Sequence, residues 1–306
     1  MHAIAMAGLL LLLAPAVLGA GTEAVVVDLD TDINPVTAEF VKRVVEEAVA
    51  GGAPAVVLRI NTPGGRLDST REITKTILAS EVPVIGFVHP PGSQAASAGF
   101  IILMACDVAA MAPGTNTGAA SPVGSGGEEL PKTIGKKVSE DAAALVRSLA
   151  VPRGRPVEDA VKTISEALSY SESEAQEKKL VEIVARDLPD LFKQLDGRPI
   201  KRVGKPDVTL KSATYTFRTE RKTGLEKALG VIASPMVAGI LFLIGVVGLY
   251  SEFQSPGAIL PGVLGSICLL LAFFAMSVLP TNWVGIGLIL LGVLFFFLEV
   301  KFTMHG

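Results

Sequence analysis

The residue types able to do chemistry converge on one short run, Gly92-Ser93-Gln94-Ala95-Ala96-Ser97-Ala98-Gly99-Phe100. It follows a predicted strand over 82–88 and opens a predicted small-residue helix over 98–106, so Ser97 falls on a tight strand-to-helix turn. At such a turn the helix dipole and unpaired backbone N–H groups favour a developing negative charge. The small neighbours let a substrate approach closely. The bland alternative is a glycine-rich turn leading into a core helix. A second run, Thr62-Pro63-Gly64-Gly65, also ends a predicted strand. Gly64 and Gly65 can turn an N–H into a cleft with no Cβ in the way, which is half of an oxyanion hole. The same residues also make an ordinary β-turn.

A nucleophilic serine needs a base. The chain has three histidines, and none follows Ser97 until His305. His89 sits at a strand end before Pro90-Pro91 and would have to fold back over the Ser97 turn; it reads better as a partly exposed loop residue. A lysine serves when burial favours its neutral form. Lys132, Lys136 and Lys137 all precede a predicted helix over 138–150, and composition does not choose among them. Three scattered histidines exclude a multi-histidine metal site. Asp28, Asp30 and Asp32 alternate along a strand end, but with Asn34-Pro35 following they read as a solvated turn. No metal and no cofactor is expected.

The elements that must position these residues are α/β. Strands are predicted over 24–29, 55–60 and 82–88, with helices over 36–50 and 68–79 between them. Asn34-Pro35 supplies a cap and a first-turn proline for the first helix, and Gly51-Gly52 ends it. This βαβαβ order predicts a mainly parallel sheet covered by helices, with both candidate loops at its carboxyl edge, where ligands bind in such folds. Helices over 156–166 and 172–179 and a short strand over 181–184 follow.

The chain has 306 residues, a net charge of −3 and half its residues hydrophobic, and a mean hydropathy of +0.51. That excludes disorder and a basic nucleic-acid binder. After Lys227 the only charged side chains are Glu252, Glu299 and Lys301. The boundaries follow: 1–20 a signal peptide or uncleaved anchor, 21–217 a soluble domain, 218–228 a charged linker, and 229–306 a membrane region. Spans are expected over 229–250, 256–279 and 283–298. The leading apolar segment would place the soluble domain outside the cytoplasm, although the basic residues beside the first span favour the opposite. Cys106 and Cys268 belong to different environments and form no disulfide framework. The spans hold no charge pair that would support transport.

The ordered set of motifs resembles the NfeD peptidases, the stomatin-operon-partner proteases related to signal peptide peptidase A and the Clp proteolytic subunit. It comprises Thr62-Pro63-Gly64-Gly65, Ser97 within AASAG, MAPGTNTGAASPVG over 111–124, KVSEDAAALVRSLAVPRGRP over 137–156, YSESEAQEKKLVEIVARDLPDLFKQLDGR over 170–198, and the multi-span tail. The resemblance implies a Clp/crotonase-type parallel-sheet domain followed by a transmembrane helical region in the cell membrane. It also implies a Ser–Lys dyad, with Ser97 as nucleophile and Lys137, ten residues before Arg147 of the R-S-L-A motif, as base. Gly65, with Gly64, and Ala98 would donate the oxyanion N–H groups. The implied substrates are hydrophobic segments of stomatin- or prohibitin-like membrane proteins, and the implied partners are membrane lipid and further copies of the chain. Asn61 stands where relatives often carry Asp, and Ser121 where some carry His, which removes a Ser-His-Asp arrangement. Longer members continue past the equivalent of His305, so a shortened form is expected here. The competing readings are a catalytically silent scaffold that binds stomatin-like proteins, and acyl-CoA chemistry on the same fold.

Overall fold

The computed structural model describes residues 23–124, 128–211, 215–254 and 259–278, with positions 291, 292 and 295. The expected leader over 1–20, and all but three positions of the expected span over 283–298, lie outside the described residues.

The chain runs β1 (Glu23–Asp30), α1 (Pro35–Ala50), β2 (Val56–Asn61), α2 (Leu67–Ala79), β3 (Val84–Val88), β4 (Gln94–Ala96) and α3 (Ala98–Ala105). β5 (Val108–Met111), β6 (Asn116–Gly118), α4 (Lys132–Ala150), α5 (Val157–Ser165), β7 (Ser169–Ser171), α6 (Glu172–Glu177), β8 (Ile183–Val184) and α7 (Leu188–Leu195) follow. The last described elements are β9 (Pro199–Ile200), β10 (Val208–Thr209), β11 (Thr216–Glu220), α8 (Gly224–Ile232), α9 (Pro235–Gln254) and α10 (Ile259–Val278).

The expected parallel sheet is present. Six strands pair in the order β11-β1-β2-β3-β5-β8, every pair parallel. Its inner strands β1, β2, β3 and β5 bury both faces, as parallel strands do, and the edge strand β11 is largely exposed. Val25, Val27, Leu29, Leu58 and Ile60 pack with Phe40, Val44, Ile73 and Phe100 of α1, α2 and α3, whereas Val26, Val57, Ile85 and Phe87 pack with Leu191, Phe192 and Leu195 of α7. Gly86 lies where α3 presses on β3: a Cβ there would meet Leu103 at 2.8 Å and the Cys106 sulfur at 2.9 Å. A second small sheet, β4-β6-β7, was not anticipated; its three-residue strands carry no readable period.

The carboxylates of β1 are structural. Asp28 takes a bidentate pair from Arg59 at 2.6 and 2.8 Å, and Asp30 accepts from Asn61 at 2.7 Å. These are cross-strand neighbours in register. Asp28 and Asp30 are thus strand residues with partners, which corrects the solvated turn. Asn61 suits this place because an aspartate there would face Asp30 charge to charge.

The segment read as a charged linker is ordered. β11 joins the edge of the main sheet, and α8 starts with a Thr223–Glu226 capping box. Glu226 also takes a bidentate pair from Arg43 of α1 at 2.9 and 3.0 Å. The apolar helix α9 begins at Pro235, and 229–232 belong to α8, because the chain breaks at Ala233-Ser234: Ser234 accepts the Val237 and Ala238 N–H groups, and Pro235 fits a first turn. Among the described residues only Met236–Gln254 is long and apolar enough to cross a membrane, and Leu260–Met276 is a shorter apolar stretch. α9 and α10 meet at glycines: a Cβ on Gly248 would lie 2.9 Å from the Gly265 Cα. The Glu252 carboxylate accepts the Gly262 N–H at 3.1 Å.

α3 is held at its carboxyl end by two arginines. Arg155 donates to the carbonyls of Met104 at 2.8 Å and Cys106 at 3.1 Å and forms a bidentate pair with Glu182 at 2.8 and 3.0 Å. Arg153 donates to Ala105 and Cys106. The Arg155 side chain is only 1% exposed, so Arg155→Met leaves Glu182 without its cation and the Met104 carbonyl without its side-chain donor. The expected cost is about 3–5 kcal/mol, read as a lowered denaturant midpoint of the full chain in mild detergent. Arg43 holds the Glu226 carboxyl below its ordinary 4.5 through their hydrogen bond. A depressed carboxyl stabilises the fold above its unfolded value and loses that contribution as pH falls through its folded value. The stability difference between wild type and Glu226→Gln should therefore be steady at neutral pH and shrink below 4.5.

Candidate active site

Ser97 occupies the turn between β4 and α3 that its neighbours suggest, but with a backbone that serines rarely adopt: φ 52°, ψ −114°. Such a conformation costs about 1–3 kcal/mol and persists only where the surroundings impose it. Here they do. The Ser97 N–H donates to the Gly118 carbonyl at 2.9 Å, and β4 pairs with β6 just before it. The Ala96 N–H donates to the Thr62 carbonyl at 3.1 Å, and the Thr62 N–H to Gln94 at 2.8 Å. The Thr117 hydroxyl donates to the Ala95 carbonyl at 2.8 Å.

The glycine loop lies directly against this turn. Gly64 has φ +128°, and a Cβ there would sit 2.6 Å from the Ser97 Cβ and 3.0 Å from its Oγ. Gly65 has φ +152°, and a Cβ there would strike the Ile33 carbonyl oxygen at 2.2 Å. The loop is tied down on its outer side: Ile33 N–H donates to the Gly64 carbonyl and Arg66 N–H to the Ile33 carbonyl, both at 2.8 Å. The Gly64 N–H donates to the Thr62 hydroxyl at 3.1 Å and is therefore occupied. The N–H groups of Gly65 and Ala98 donate to no protein group among the described residues. The arrangement thus offers a hydroxyl at a strained bend, one unpaired N–H on the α3 first turn and another on the adjoining loop.

The lysine stands apart. α4 begins at Lys132, six residues before the expected start, because Pro131 opens the helix. Lys132, Lys136 and Lys137 therefore all lie on it, and no residue of α4 before Ala142 is buried. Lys137 is exposed and lines an open groove of about 580 Å³ with Lys132, Thr133, Lys136 and Glu140. Ser97 does not line that groove, and no hydrogen bond joins Ser97 and Lys137.

The other candidates are spoken for. His89 stacks on Phe87 with ring centroids 4.9 Å apart, and Phe87 belongs to the α7 side of the sheet, away from α3. Burial, and then the Arg59 charge, push its imidazole below the usual value. The Ser121 hydroxyl donates to the Ile164 carbonyl at 2.6 Å. Burial pushes the Cys106 thiol up to about 12, so it is no nucleophile. Sequence reasoning missed Gly118, whose carbonyl pins Ser97, and Arg153 and Arg155, which pin the far end of α3. Neither carries a local signal: Gly118 is one glycine among many, and the arginines meet α3 only in three dimensions.

Comparison with known proteins gives this geometry its context. Residues 23–191 match the NfeD1b N-terminal domain and residues 236–306 the NfeD integral membrane domain. The chain is 33% identical over 288 residues to the membrane-bound protease PH1510 of Pyrococcus horikoshii, covering 92% of this chain but 64% of that protein. Two solved structures of a 1510-N membrane-bound stomatin-specific protease are similar. One is a lysine-to-alanine variant in complex with a substrate peptide, with a TM-score of 0.63 at 33% identity, covering 69% of this chain and 97% of that one. The other is a serine-to-alanine variant, with a TM-score of 0.62 at 32% identity, covering 66% and 98%.

The contact between Gly64 and Ser97 is directly testable. Gly64→Ala forces a methyl into the Ser97 side chain. Labelling of Ser97 by a fluorophosphonate should slow about tenfold or more, the equivalent of roughly 1.4 kcal/mol, while the circular dichroism spectrum stays that of the wild type.

Proposed function

The chain belongs to the NfeD family, and from that premise we propose that it is a membrane-bound serine endopeptidase working through a Ser97–Lys137 dyad. The observation that carries this reading is the Ser97 turn itself, with its imposed backbone and two unpaired N–H groups. Ser97 Oγ attacks a peptide carbonyl while the Lys137 amine takes its proton. The Ala98 and Gly65 N–H groups hold the oxyanion, with Gly64 packing beneath the serine rather than donating. The protonated lysine then gives its proton to the leaving amine, and water releases the acyl-enzyme.

A lysine serves as a base where burial favours its neutral form, and Lys137 is exposed, so the dyad requires that Lys137 be covered and brought to Ser97. Ile134, one turn before Lys137 on α4, is 53% exposed, an apolar side chain that a second copy of the chain or a hydrophobic substrate would bury. The proposed substrates are hydrophobic C-terminal segments of stomatin-like membrane proteins; the structural relatives are named only as stomatin-specific. The proposed placement is multi-pass in the cell membrane, with the soluble domain outside the cytoplasm.

The exposure of Lys137 favours one second reading, a silent scaffold that binds such proteins without cutting them. Peptide cleavage by the full chain separates the two. Ser97→Ala and Lys137→Ala should each lower kcat by at least about 10³-fold with peptide binding retained. Cleavage by Lys137→Ala at near wild-type rate would overturn the dyad, and binding by wild type without cleavage or acylation of Ser97 would establish the scaffold.

A further inference from the structure

α8 is built inside out. Its one acidic side chain, Glu226, is 12% exposed and faces α1, where Arg43 holds it. Three of its apolar side chains face outward: Leu225 is 70% exposed and Val231 61%, with Ala228 exposed between them, while Leu229 and Ile232 are half-buried. At 100° per residue these three fall within one 120° arc, and Glu226 lies opposite. A helix that turns its charge to the protein and its apolar stripe to the outside is stable in water only if something apolar covers that stripe.

The neighbouring chain identifies the cover. Ala233 and Ser234 join α8 directly to α9, the helix of membrane-crossing length and composition. Lys227 is exposed at the margin of the apolar arc, and Arg221 is exposed just ahead of it. An apolar stripe edged by cations and continuous with a span has the pattern of a helix lying in a bilayer interface. The matched membrane domain begins only at residue 236, so this segment lies upstream of it.

We propose that α8 lies in the bilayer surface, with Leu225, Ala228 and Val231 among the upper acyl chains and Arg221 and Lys227 at anionic headgroups. The Arg43–Glu226 pair on its inner side then fastens α1, and with it the soluble domain, to the membrane plane. A flexible linker would let the Ser97 turn tumble above the lipid; a clamped interfacial helix holds it at a set height and tilt. This inference is independent of whether Ser97 is a nucleophile.

The test uses the full chain in vesicles of phosphatidylcholine and phosphatidylglycerol. The chain has one tryptophan, Trp283, so Leu225→Trp, Val231→Trp and a control on the exposed face of α2, Glu72→Trp, are each made with Trp283→Phe. Lipids brominated on the acyl chains should quench Leu225→Trp and Val231→Trp at least twofold more than Glu72→Trp, with blue-shifted emission. Quenching equal to the control would overturn the proposal. Blue-shifted emission without quenching would overturn it too, by showing that another protein surface covers the stripe.

Discussion

A serine does not hold itself at φ 52°, ψ −114°, and most of the soluble domain can be understood as the apparatus that holds it there. Three independent strands of support meet at this residue. The small sheet fixes β4 and supplies the Gly118 carbonyl. Thr62 links the end of β2 to β4 by two backbone hydrogen bonds. Gly64, lacking a Cβ, lets its loop rest against the serine side chain. None of these would suffice against a cost of about 1–3 kcal/mol if the others were free to relax.

The helices behind the two loops are pinned at their far ends by cations from distant parts of the chain. Arg153 and Arg155 cap α3, and Arg202 and Lys205 donate to Ser80 at the end of α2. Cations there oppose the negative ends of both helix dipoles and satisfy carbonyls that have no partner within the helix. The buried Asp107 sits between the two sets, 3.8 Å from Arg153 and 3.5 Å from Arg202. Its carboxyl is raised by burial, against the Val84 N–H and the two guanidinium charges that favour its ionised form. The loops at the carboxyl edge of the sheet are thus registered by ionic contacts at its other end.

The α/β domain and the helices that follow it are joined through packed elements. β11 closes the edge of the sheet, and α8 is clamped to α1 before α9 begins. The packed core and its junction with α8 contrast with the first turns of α4, which carry Lys137 and bury nothing. The proposed chemistry asks for motion or partnership there, and the packing leaves that segment free to provide it.

Much of this was legible from residue order. Continuous apolar runs marked β1, β2 and β3, Asn34-Pro35 and Gly51-Gly52 marked the ends of α1, and the glycines around Thr62 and Ser97 marked the two loops, because these signals act within a few residues of chain. The three-residue strands β4, β6 and β7 were not legible, since such strands exist only by pairing with segments distant in the chain. Nor was the ordered course of 216–232, whose charges looked solvent-bound until Arg43 was seen to claim Glu226. Local chemistry decided which elements form and where the candidate serine would stand; only the tertiary structure decided which N–H groups among the described residues remain unpaired around it and that Lys137 stands exposed on α4. Hydrogen-bond saturation and burial are properties of neighbours in space, and residue order alone does not specify them.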